Sequence, residues 1–168
     1  FSSSATVYGF PIYLPYDENH PTNPVSVYGK TKLQVEEILK DLVHSNADWK
    51  ILSLRYFNPV GAHISGLLGE NPTGVPNNLM PYIANVAIGK YPFLQIFGDD
   101  WDTRDGTGER DYIHVMDLAE GHLSALEFIS KGTGLDAINL GTGNSTSVLE
   151  LVHAFECVTK KSIPLKIV

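Results

Sequence analysis

Residues 26–57 run SVYGKTKLQVEEILKDLVHSNADWKILSLRYF and contain two hydrophobic patterns in succession. From Ser26 to His44 the apolar residues recur at helical spacing between lysine and glutamate residues, which predicts an amphipathic helix. From Lys50 to Phe57 a short run with apolar Ile51, Leu52 and Leu54 predicts a strand. A helix followed by a strand of this length indicates a parallel unit, so we expect an α/β fold.

Two side chains near the start of this predicted helix indicate a catalytic site. Tyr28 and Lys32 are four residues apart and therefore lie on the same side of a helix. A lysine ammonium placed there favours the ionised phenol, which can then act as a general base. Upstream, the hydroxyl-rich residues 1–9 predict a strand that runs into a turn at Gly9. Ser4 could share a proton with Tyr28 if these two elements meet.

The ends of the predicted strands indicate where a ligand would bind. Ser4 and Asn58 both lie where a strand ends, and ligands of open α/β sheets gather beyond the carboxyl ends of the strands. We therefore expect both residues to share a site with Tyr28. Residues 58–76 then form a long loop rich in glycine and proline, and a loop of this length is often functional.

The composition limits the partners that we expect. The chain has 168 residues, 43% of them hydrophobic, which is enough for a domain with a core. Its net charge of −7 and the lack of a basic block argue against a nucleic-acid partner. No apolar run approaches ~18 residues, so we expect no membrane span. The single cysteine, Cys157, lies among apolar residues and is predicted to be buried, which fits a reducing, cytoplasmic setting.

Further elements follow from periodicity and from turn residues. Helices are predicted from Asn77 or Asn78 (as a cap) to 89, at 114–131 and at 147–160, and strands at 93–98, 137–140 and 164–168. A polar loop is predicted at 99–110. In the helix at 114–131 the apolar residues at helical spacing are expected to face inward, namely Val115, Leu118, Ala119, Leu123, Leu126 and Ile129.

Two stretches imitate binding motifs. The loop at 99–110 contains four aspartates, but their spacing does not fit an EF-hand, so we expect no metal. Gly141-Thr142-Gly143 follows a predicted strand, as in a dinucleotide-binding fingerprint. The sixth position is Thr146 and no βαβ unit with an acidic residue follows. We therefore predict a tight strand–helix turn capped by Ser147.

Several longer motifs carry a family resemblance. The serine run of residues 1–9, Tyr28-x-x-x-Lys32, and the stretches at 55–59, 76–81 and 110–115 resemble the extended short-chain dehydrogenase/reductase family, and within it the UDP-glucose (UDP-galactose) 4-epimerases. The resemblance implies the C-terminal part of a Rossmann-like, doubly wound parallel sheet plus a small α/β substrate-binding lobe. Residues 1–58 would end the NAD-binding domain. Residues 59–168 would mainly form the sugar-nucleotide-binding lobe, with segments returning to the main sheet.

The resemblance also implies a reaction and its cofactor. Such enzymes interconvert UDP-galactose and UDP-glucose by oxidising C4 to a ketone with bound NAD and reducing it on the other face. Tyr28 would be the base and then the acid, Lys32 would bind the nicotinamide ribose, and Ser4 would hydrogen-bond the C4 oxygen. All three would also contact the cofactor, and the backbone of Phe57 would lie near the nicotinamide.

Other residues would bind the UDP part of the substrate. The resemblance implies that the diphosphate is bound by Asn58, Asn78, Leu79 and Arg110. It also implies that Gln95 and Phe97 contact the uracil and that Tyr112 lies beside Arg110. An internal ion pair of Arg110 with Asp111 is the structural alternative. The resemblance further implies a homodimer for the full-length protein, with the helix at residues 31–43 as a candidate interface.

Alternatives within and outside this family stay open. Dehydratases of the superfamily carry an acidic pair where this chain has Ala5 and Thr6, which favours epimerisation without elimination. These residues contain no glycine-rich βαβ fingerprint, which in the family lies in an N-terminal half. We therefore expect an internal segment that lacks this half and the C-terminal tail. An inactive or partner-completed sugar-nucleotide-binding fragment, or an epimerase of another UDP-sugar such as UDP-glucuronate, are the alternatives.

Overall fold

The computed structural model describes residues 1–132 and 134–168. These residues form α-helices α1 (Val27–Ser45), α2 (Leu79–Ala87), α3 (Val115–Lys131) and α4 (Val148–Thr159). The strands are β1 (Ser2–Ser4), β2 (Lys50–Tyr56), β3 (Asn58–Val60), β4 (Leu94–Ile96), β5 (Glu109–His114), β6 (Gly134–Leu140), β7 (Ser145–Ser147) and β8 (Leu165–Ile167). This composition confirms the predicted α/β class. Within the described residues, no helix combines the length and the apolar character that crossing a membrane requires.

The chain divides into two compact units, and each unit is made of two segments of the sequence. Unit 1 comprises Phe1–Pro59 and Tyr112–Asn144, and unit 2 comprises Val60–Asp111 and Ser145–Val168. Unit 1 is built on a parallel sheet with the strand order β1-β2-β6. Ser4, Tyr56 and Leu140 are register partners and are the last residues of their strands, so all three strands end at the same edge.

Helices lie on both faces of the sheet in unit 1. Glu36 of α1 hydrogen-bonds to Arg55 of β2, whereas His122 of α3 hydrogen-bonds to Tyr56, the next residue of the strand. Because successive strand residues point to opposite faces, α1 and α3 must cover opposite faces. Leu52 and Leu54 of β2 are buried within this arrangement, as expected of a parallel sheet covered on both sides.

Unit 2 has its own core. Its buried members come from α2, β4, α4 and the segment before β8, and they are Ile83, Val86, Leu94, Val152 and Ile163. β4 pairs with β8 in parallel, and β5 pairs with β7 in an antiparallel arrangement. The predicted Ser147 cap is confirmed, because Ser147 and Glu150 form a reciprocal capping box at the start of α4. The tight turn predicted before it is wrong, since Ser145–Ser147 form the strand β7.

The strand predictions were wrong in several places. The first strand stops at Ser4, because Ala5–Val7 turn into a 3₁₀-helix that Ser4 caps. Residues 109–114, predicted as the end of a loop and the start of a helix, form the strand β5, which pairs with β7. The short strands β3 and β7 were not predicted, since a strand of three residues carries almost no hydrophobic periodicity.

Two burial predictions were also wrong. On α3, Leu118 is buried, but four other residues predicted to face inward are exposed, namely Val115, Ala119, Leu123 (65%) and Leu126 (66%). Spacing shows which residues share a helix face, but whether another element covers that face depends on the rest of the fold. Cys157 is exposed as well. It lies two residues beyond Phe155, which packs against the core of unit 2, and two helical residues are about 200° apart.

Candidate active site

Ser4 lies at the carboxyl end of β1 and caps the turn that follows. Its Oγ accepts hydrogen bonds from the Thr6 backbone N–H, at 3.2 Å, and from the Thr6 hydroxyl, at 3.0 Å. Ser4 is buried. The capping bonds therefore hold the Ser4 hydroxyl in a defined orientation at the edge of the sheet where the strands of unit 1 end.

Tyr28 and Lys32 lie in the first two turns of α1. Ser26 caps this helix by accepting a hydrogen bond from the Gly29 N–H at 3.0 Å. The Lys32 Nζ lies 5.4 Å from the centre of the Tyr28 ring, so the two side chains share one side of the helix, as their spacing predicts. The same ammonium donates a hydrogen bond to the Ser2 backbone oxygen at 2.9 Å, and Tyr28 is 55% exposed.

The elements that carry Ser4 and Tyr28 meet at Gly29. A Cβ atom on Gly29 would lie 2.6 Å from the backbone oxygen of Thr6, the residue held by the Ser4 cap. The helix start therefore packs directly on the Ser4 turn. In the described part of the chain no hydrogen bond joins Ser4 to Tyr28. The arrangement places the start of the helix that carries Tyr28 and Lys32 beside the Ser4 turn, where ligands of open α/β sheets gather.

Phe57 and Asn58 follow the end of β2 at this edge. The Phe57 N–H donates a hydrogen bond to the Leu140 oxygen at 3.0 Å, and its half-buried ring lies 6.4 Å from the ring of Tyr16. Asn58 is exposed and begins β3. The two residues thus lie just beyond the carboxyl end of β2.

A buried polar network under this edge was not predicted from the sequence. Glu36 of α1 forms a bidentate ion pair with Arg55 of β2, at 3.0 and 2.6 Å, and accepts a short hydrogen bond from the Ser3 hydroxyl. Arg55 also donates to the Tyr8 hydroxyl at 3.0 Å, which donates in turn to Asn139 of β6 at 2.7 Å. The only feature of the sequence that pointed to this network was the charged Arg55 within an otherwise mostly apolar strand.

Burial and hydrogen bonding act in opposite directions on this network. Burial disfavours the charged form of Arg55, but its hydrogen bonds with Glu36 and Tyr8 outweigh this, so the pKa of Arg55 is raised above its ordinary value. The pKa of Tyr8 is raised chiefly because the phenol is buried. Arg55 therefore stays charged and Tyr8 stays protonated at neutral pH, which keeps the network intact.

Two of the predicted diphosphate-binding residues, Asn78 and Leu79, lie at the start of α2. Asn78 occupies the N-cap position, but its side chain makes no capping bond and instead donates to the Glu70 carboxylate at 2.6 Å. Leu79, the first residue of α2, packs against the core of unit 2. The N-terminal N–H groups of α2 thus remain without a side-chain cap from Asn78, and helix N-termini favour anions.

The other predicted substrate residues lie on strands. Gln95 is exposed between the buried Leu94 and Ile96 of β4, and the Phe97 ring just after it is largely exposed. Arg110 of β5 is exposed, and its guanidinium donates to the Glu109 backbone oxygen at 2.7 Å. Tyr112 is half-buried and belongs to unit 1. Gln95 and Phe97 therefore lie together on one exposed surface of unit 2.

Comparison with known proteins identifies the family. The model of the NAD dependent epimerase/dehydratase family matches residues 1–141. The chain belongs to this family. It is 57% identical over 166 residues to the UDP-glucose 4-epimerase of Bacillus subtilis (strain 168), a match that covers 99% of the chain and 49% of that relative.

Solved structures of relatives share the fold. The UDP-glucose-4-epimerase from Stenotrophomonas maltophila, with bound NAD and formylated UDP-arabinopyranose, is 54% identical with a TM-score of 0.96. The enzyme from Bifidobacterium longum, in complex with NAD⁺ and UDP, is 53% identical with a TM-score of 0.95. Each comparison covers 100% of this chain and 50% of the other, so the chain spans about half the length of these relatives.

Proposed function

We propose that the protein interconverts UDP-galactose and UDP-glucose as an NAD-dependent 4-epimerase, with this chain supplying the acid–base residues and much of the sugar-nucleotide site. The observation that carries the proposal is the packing of the Tyr28–Lys32 helix start on the turn capped by Ser4. Membership of the NAD dependent epimerase/dehydratase family supports it. Residues 1–58 would belong to the NAD-binding domain and residues 59–168 mainly to the sugar-nucleotide lobe.

The residues at the strand ends fit the ribose and nicotinamide end of NAD. Lys32 donates one of its three N–H groups to Ser2, which leaves two for the hydroxyls of a ribose. Tyr28 is exposed beside it, and the half-buried Phe57 ring offers a flat apolar surface at the end of β2. When bound there, NAD would supply the hydride acceptor and donor for C4 of the sugar.

The chain's own residues would move the proton. Tyr28, as phenolate, would take the proton of the C4 hydroxyl while C4 becomes a ketone, and would return it when C4 is reduced on the other face. The Lys32 ammonium lies beside the Tyr28 ring and would act as the neighbouring positive charge, and the Ser4 hydroxyl would hydrogen-bond the C4 oxygen. Over the full cycle C4 returns to the alcohol level, and the proton returns from Tyr28 to the C4 oxygen.

Unit 2 would supply most of the contacts to UDP. Asn78 and Leu79 lie at the start of α2, where backbone N–H groups and the helix dipole attract a diphosphate. Arg110 would add a forked cation, with Tyr112 beside it and Asn58 as a further donor. Gln95 and Phe97 would contact the uracil, the amide by hydrogen bonding and the ring by stacking.

Location and assembly are part of the same proposal. We place the enzyme in the cytoplasm, which the single cysteine of these residues fits. We also propose that the full-length protein is a homodimer that uses the helix at residues 31–43, where Ile38 is 64% exposed. Ile38→Glu should then produce a monomer in sedimentation measurements, and an intact dimer would contradict this interface.

The test measures bound NAD and conversion of UDP-galactose. The chain is assayed alone and joined to the parts of the Bacillus subtilis relative that it does not cover, after NAD released by denaturation has been measured. Tyr28→Phe should lower conversion by about 10²–10⁴-fold, because it removes the general base. Tyr13→Phe, the same change at another exposed tyrosine of unit 1, should leave conversion unchanged.

Each alternative predicts a different result. An inactive fragment would bind no NAD and convert nothing in either form, and this outcome would contradict the proposal. Conversion of UDP-glucuronate without conversion of UDP-galactose would instead identify the substrate as UDP-glucuronate. Activity in the joined form alone would support the proposal and show that the rest of the relative's length is required.

A further inference from the structure

A row of polar side chains crosses the sheet of unit 1 one residue before its strands end. Ser3, Arg55 and Asn139 are register partners on β1, β2 and β6, and the next row, beginning with Ser4, ends the strands. All three polar side chains are hydrogen-bonded on the α1 side of the sheet, two of them to Glu36 and the third through Tyr8. The row therefore lies directly beneath the proposed active site.

Glu36 is where the row is joined to the catalytic helix. One carboxylate oxygen accepts from the Ser3 hydroxyl and from Arg55 Nε, at 3.0 Å, and the other accepts from the second Arg55 nitrogen, at 2.6 Å. Glu36 lies four residues after Lys32 and eight after Tyr28, so the three side chains point to similar sides of α1. Each partner of Glu36 lies close to a proposed site residue along the chain: Ser3 directly precedes Ser4, and Arg55 lies two residues before Phe57, which follows the end of β2.

We propose that Glu36 is a positioning residue of the active site, which sets the rotation and depth of α1 on the sheet through Arg55 and Ser3. It would thereby hold Tyr28 and Lys32 in register with Ser4 and Phe57. The inference rests on the proposed epimerase function for its catalytic consequence. Its structural part rests on the contacts alone: hydrogen bonds from Ser3 and Arg55 join Glu36, in the third turn of α1, to β1 and β2.

Burial by itself does not account for this arrangement. Apolar contacts are non-directional, whereas a bidentate carboxylate–guanidinium pair fixes both distance and angle. A buried ion pair is also a weak source of stability compared with apolar residues of similar volume, because both charges lose their hydration. On the same face of β2, Ser53 is buried to the same extent as Ser3, yet among the described residues its hydroxyl has no hydrogen-bond partner. The geometric tie at Glu36 is therefore what distinguishes this row.

The test compares two variants that weaken the hydrogen bonds of Glu36, called the tie variants, with two control variants. Glu36→Gln removes the charge that holds Arg55, and Ser3→Ala removes the bond from β1 and is the milder change. Ser53→Ala is the matched control, since it deletes a buried hydroxyl of the same sheet face that makes no hydrogen bond to any described residue. Leu52→Ala lowers stability from the opposite face of β2 without touching the network.

The first readout is turnover in the form of the enzyme that converts UDP-galactose, expressed per bound NAD. We expect kcat to fall about a hundredfold in Glu36→Gln and about tenfold in Ser3→Ala, with KM changed by less than about twofold, because misplaced groups slow chemistry more than binding. Ser53→Ala and Leu52→Ala should keep the wild-type kcat. Wild-type kcat in both tie variants would overturn the proposal.

The second readout is hydrogen exchange in the chain itself, which needs neither NAD nor activity. Exchange at residues 27–36 should become faster in both tie variants while α3 keeps the wild-type rates, since only the local tie is lost. An equal rise in α1 and α3 would mean a global loss of stability and would overturn the proposal. If Glu36→Gln does not fold, turnover and hydrogen exchange of Ser3→Ala alone decide whether the proposal holds. A wild type without NAD and without turnover would refute the epimerase function, and exchange would still decide on the tie.

Discussion

At Gly29 the backbone of the catalytic helix leaves no room for a side chain. A Cβ atom there would lie 2.6 Å from the Thr6 oxygen and 2.9 Å from the Pro24 Cβ. The contact with Thr6 involves backbone, which cannot turn away as the end of a flexible side chain can. The helix start and the Ser4 turn are therefore packed at the minimum distance, and a single methyl group would separate them.

We expect Gly29→Ala to lower the stability of the chain. Overpacking costs about 1–3 kcal/mol, which exceeds the gain of about 1 kcal/mol that alanine brings to a helix interior. Urea unfolding would measure the change. Gly121→Ala in α3 is the matched control, since its Cβ would meet only the flexible end of Leu140, at 3.2 Å. This control should be neutral or slightly stabilising. Equal or greater stability of Gly29→Ala would show that the Ser4 turn can move.

Single residues differed in how far the sequence could predict their role. The placement of Tyr28 and Lys32 side by side on α1 was predictable, because helical spacing is local information. Glu36 carried no such signal, since exposed helices also alternate glutamate with lysine. Its burial depends on Ser3 and Arg55, which are 33 and 19 residues away in sequence. Only the sheet register brings these partners to it.

Among the elements, the start of α4 is joined by hydrogen bonds to the loop at residues 99–110, which contains four aspartates. The buried Ser147 hydroxyl caps α4 and also donates to the Asp105 carboxylate. Thr107 donates to the same carboxylate from its backbone N–H at 3.0 Å and from its hydroxyl at 2.7 Å. The Ser147 bond and then the Thr107 bonds hold the pKa of Asp105 below its ordinary value. The aspartate thus ties the loop to the helix.

We expect this tie to make the stability of the chain depend on acid pH. Because the pKa of Asp105 is lower in the folded than in the unfolded chain, its stabilising effect is complete above about pH 4–5. The effect is lost as the pH falls through the folded pKa, since the unfolded chain then binds the proton more readily. Urea midpoints between pH 3 and 7 should therefore fall toward acid pH, and less steeply in Asp105→Asn.

A second aspartate of the loop provides the control for this pH dependence. Asp102 is exposed and accepts no hydrogen bond among the described residues. Asp102→Asn should keep the slope of the wild type. An Asp105→Asn slope equal to that of the wild type would show that Asp105 does not contribute to the acid sensitivity.

Elements in which a hydrophobic pattern repeats over several turns were predictable from the sequence, whereas short strands and strands rich in charged residues were not. The four helices were predicted to within a few residues because each spans several turns of an apolar pattern or has a clear cap. The strand β5 was missed because its sequence, Glu-Arg-Asp-Tyr-Ile-His, is dominated by charge, and its pairing with β7 is a long-range contact. Tertiary pairing overrides local propensity at such positions.

In the whole molecule, each unit has its own buried residues and one tryptophan. Trp49 lies in unit 1 and Trp101 in unit 2, so each can report on its own unit when the other is replaced by phenylalanine. Ile83 is fully buried in the core of unit 2. Local sequence patterns did not show how the chain leaves unit 1 and returns to it, because this path is set by contacts distant in sequence.

We expect Ile83→Ala to destabilise unit 2 by about 2–5 kcal/mol, through lost burial and the cavity that remains. Urea unfolding followed by Trp101 fluorescence should show the larger shift, and unfolding followed by Trp49 the smaller. Leu54→Ala, at a buried position of unit 1, should reverse the order. Equal shifts with both reporters would show instead that the chain unfolds as one cooperative block.

The exposed position of Cys157 on α4 has a practical consequence for handling the protein. An accessible thiol can be oxidised, and a disulfide between two such thiols would join two copies covalently through unit 2. Such an artefact would have the mass of a dimer while leaving the Tyr28 helix uninvolved. Every measurement of molecular size therefore needs a reductant, and the species that persists in its presence is the one that reports the native assembly.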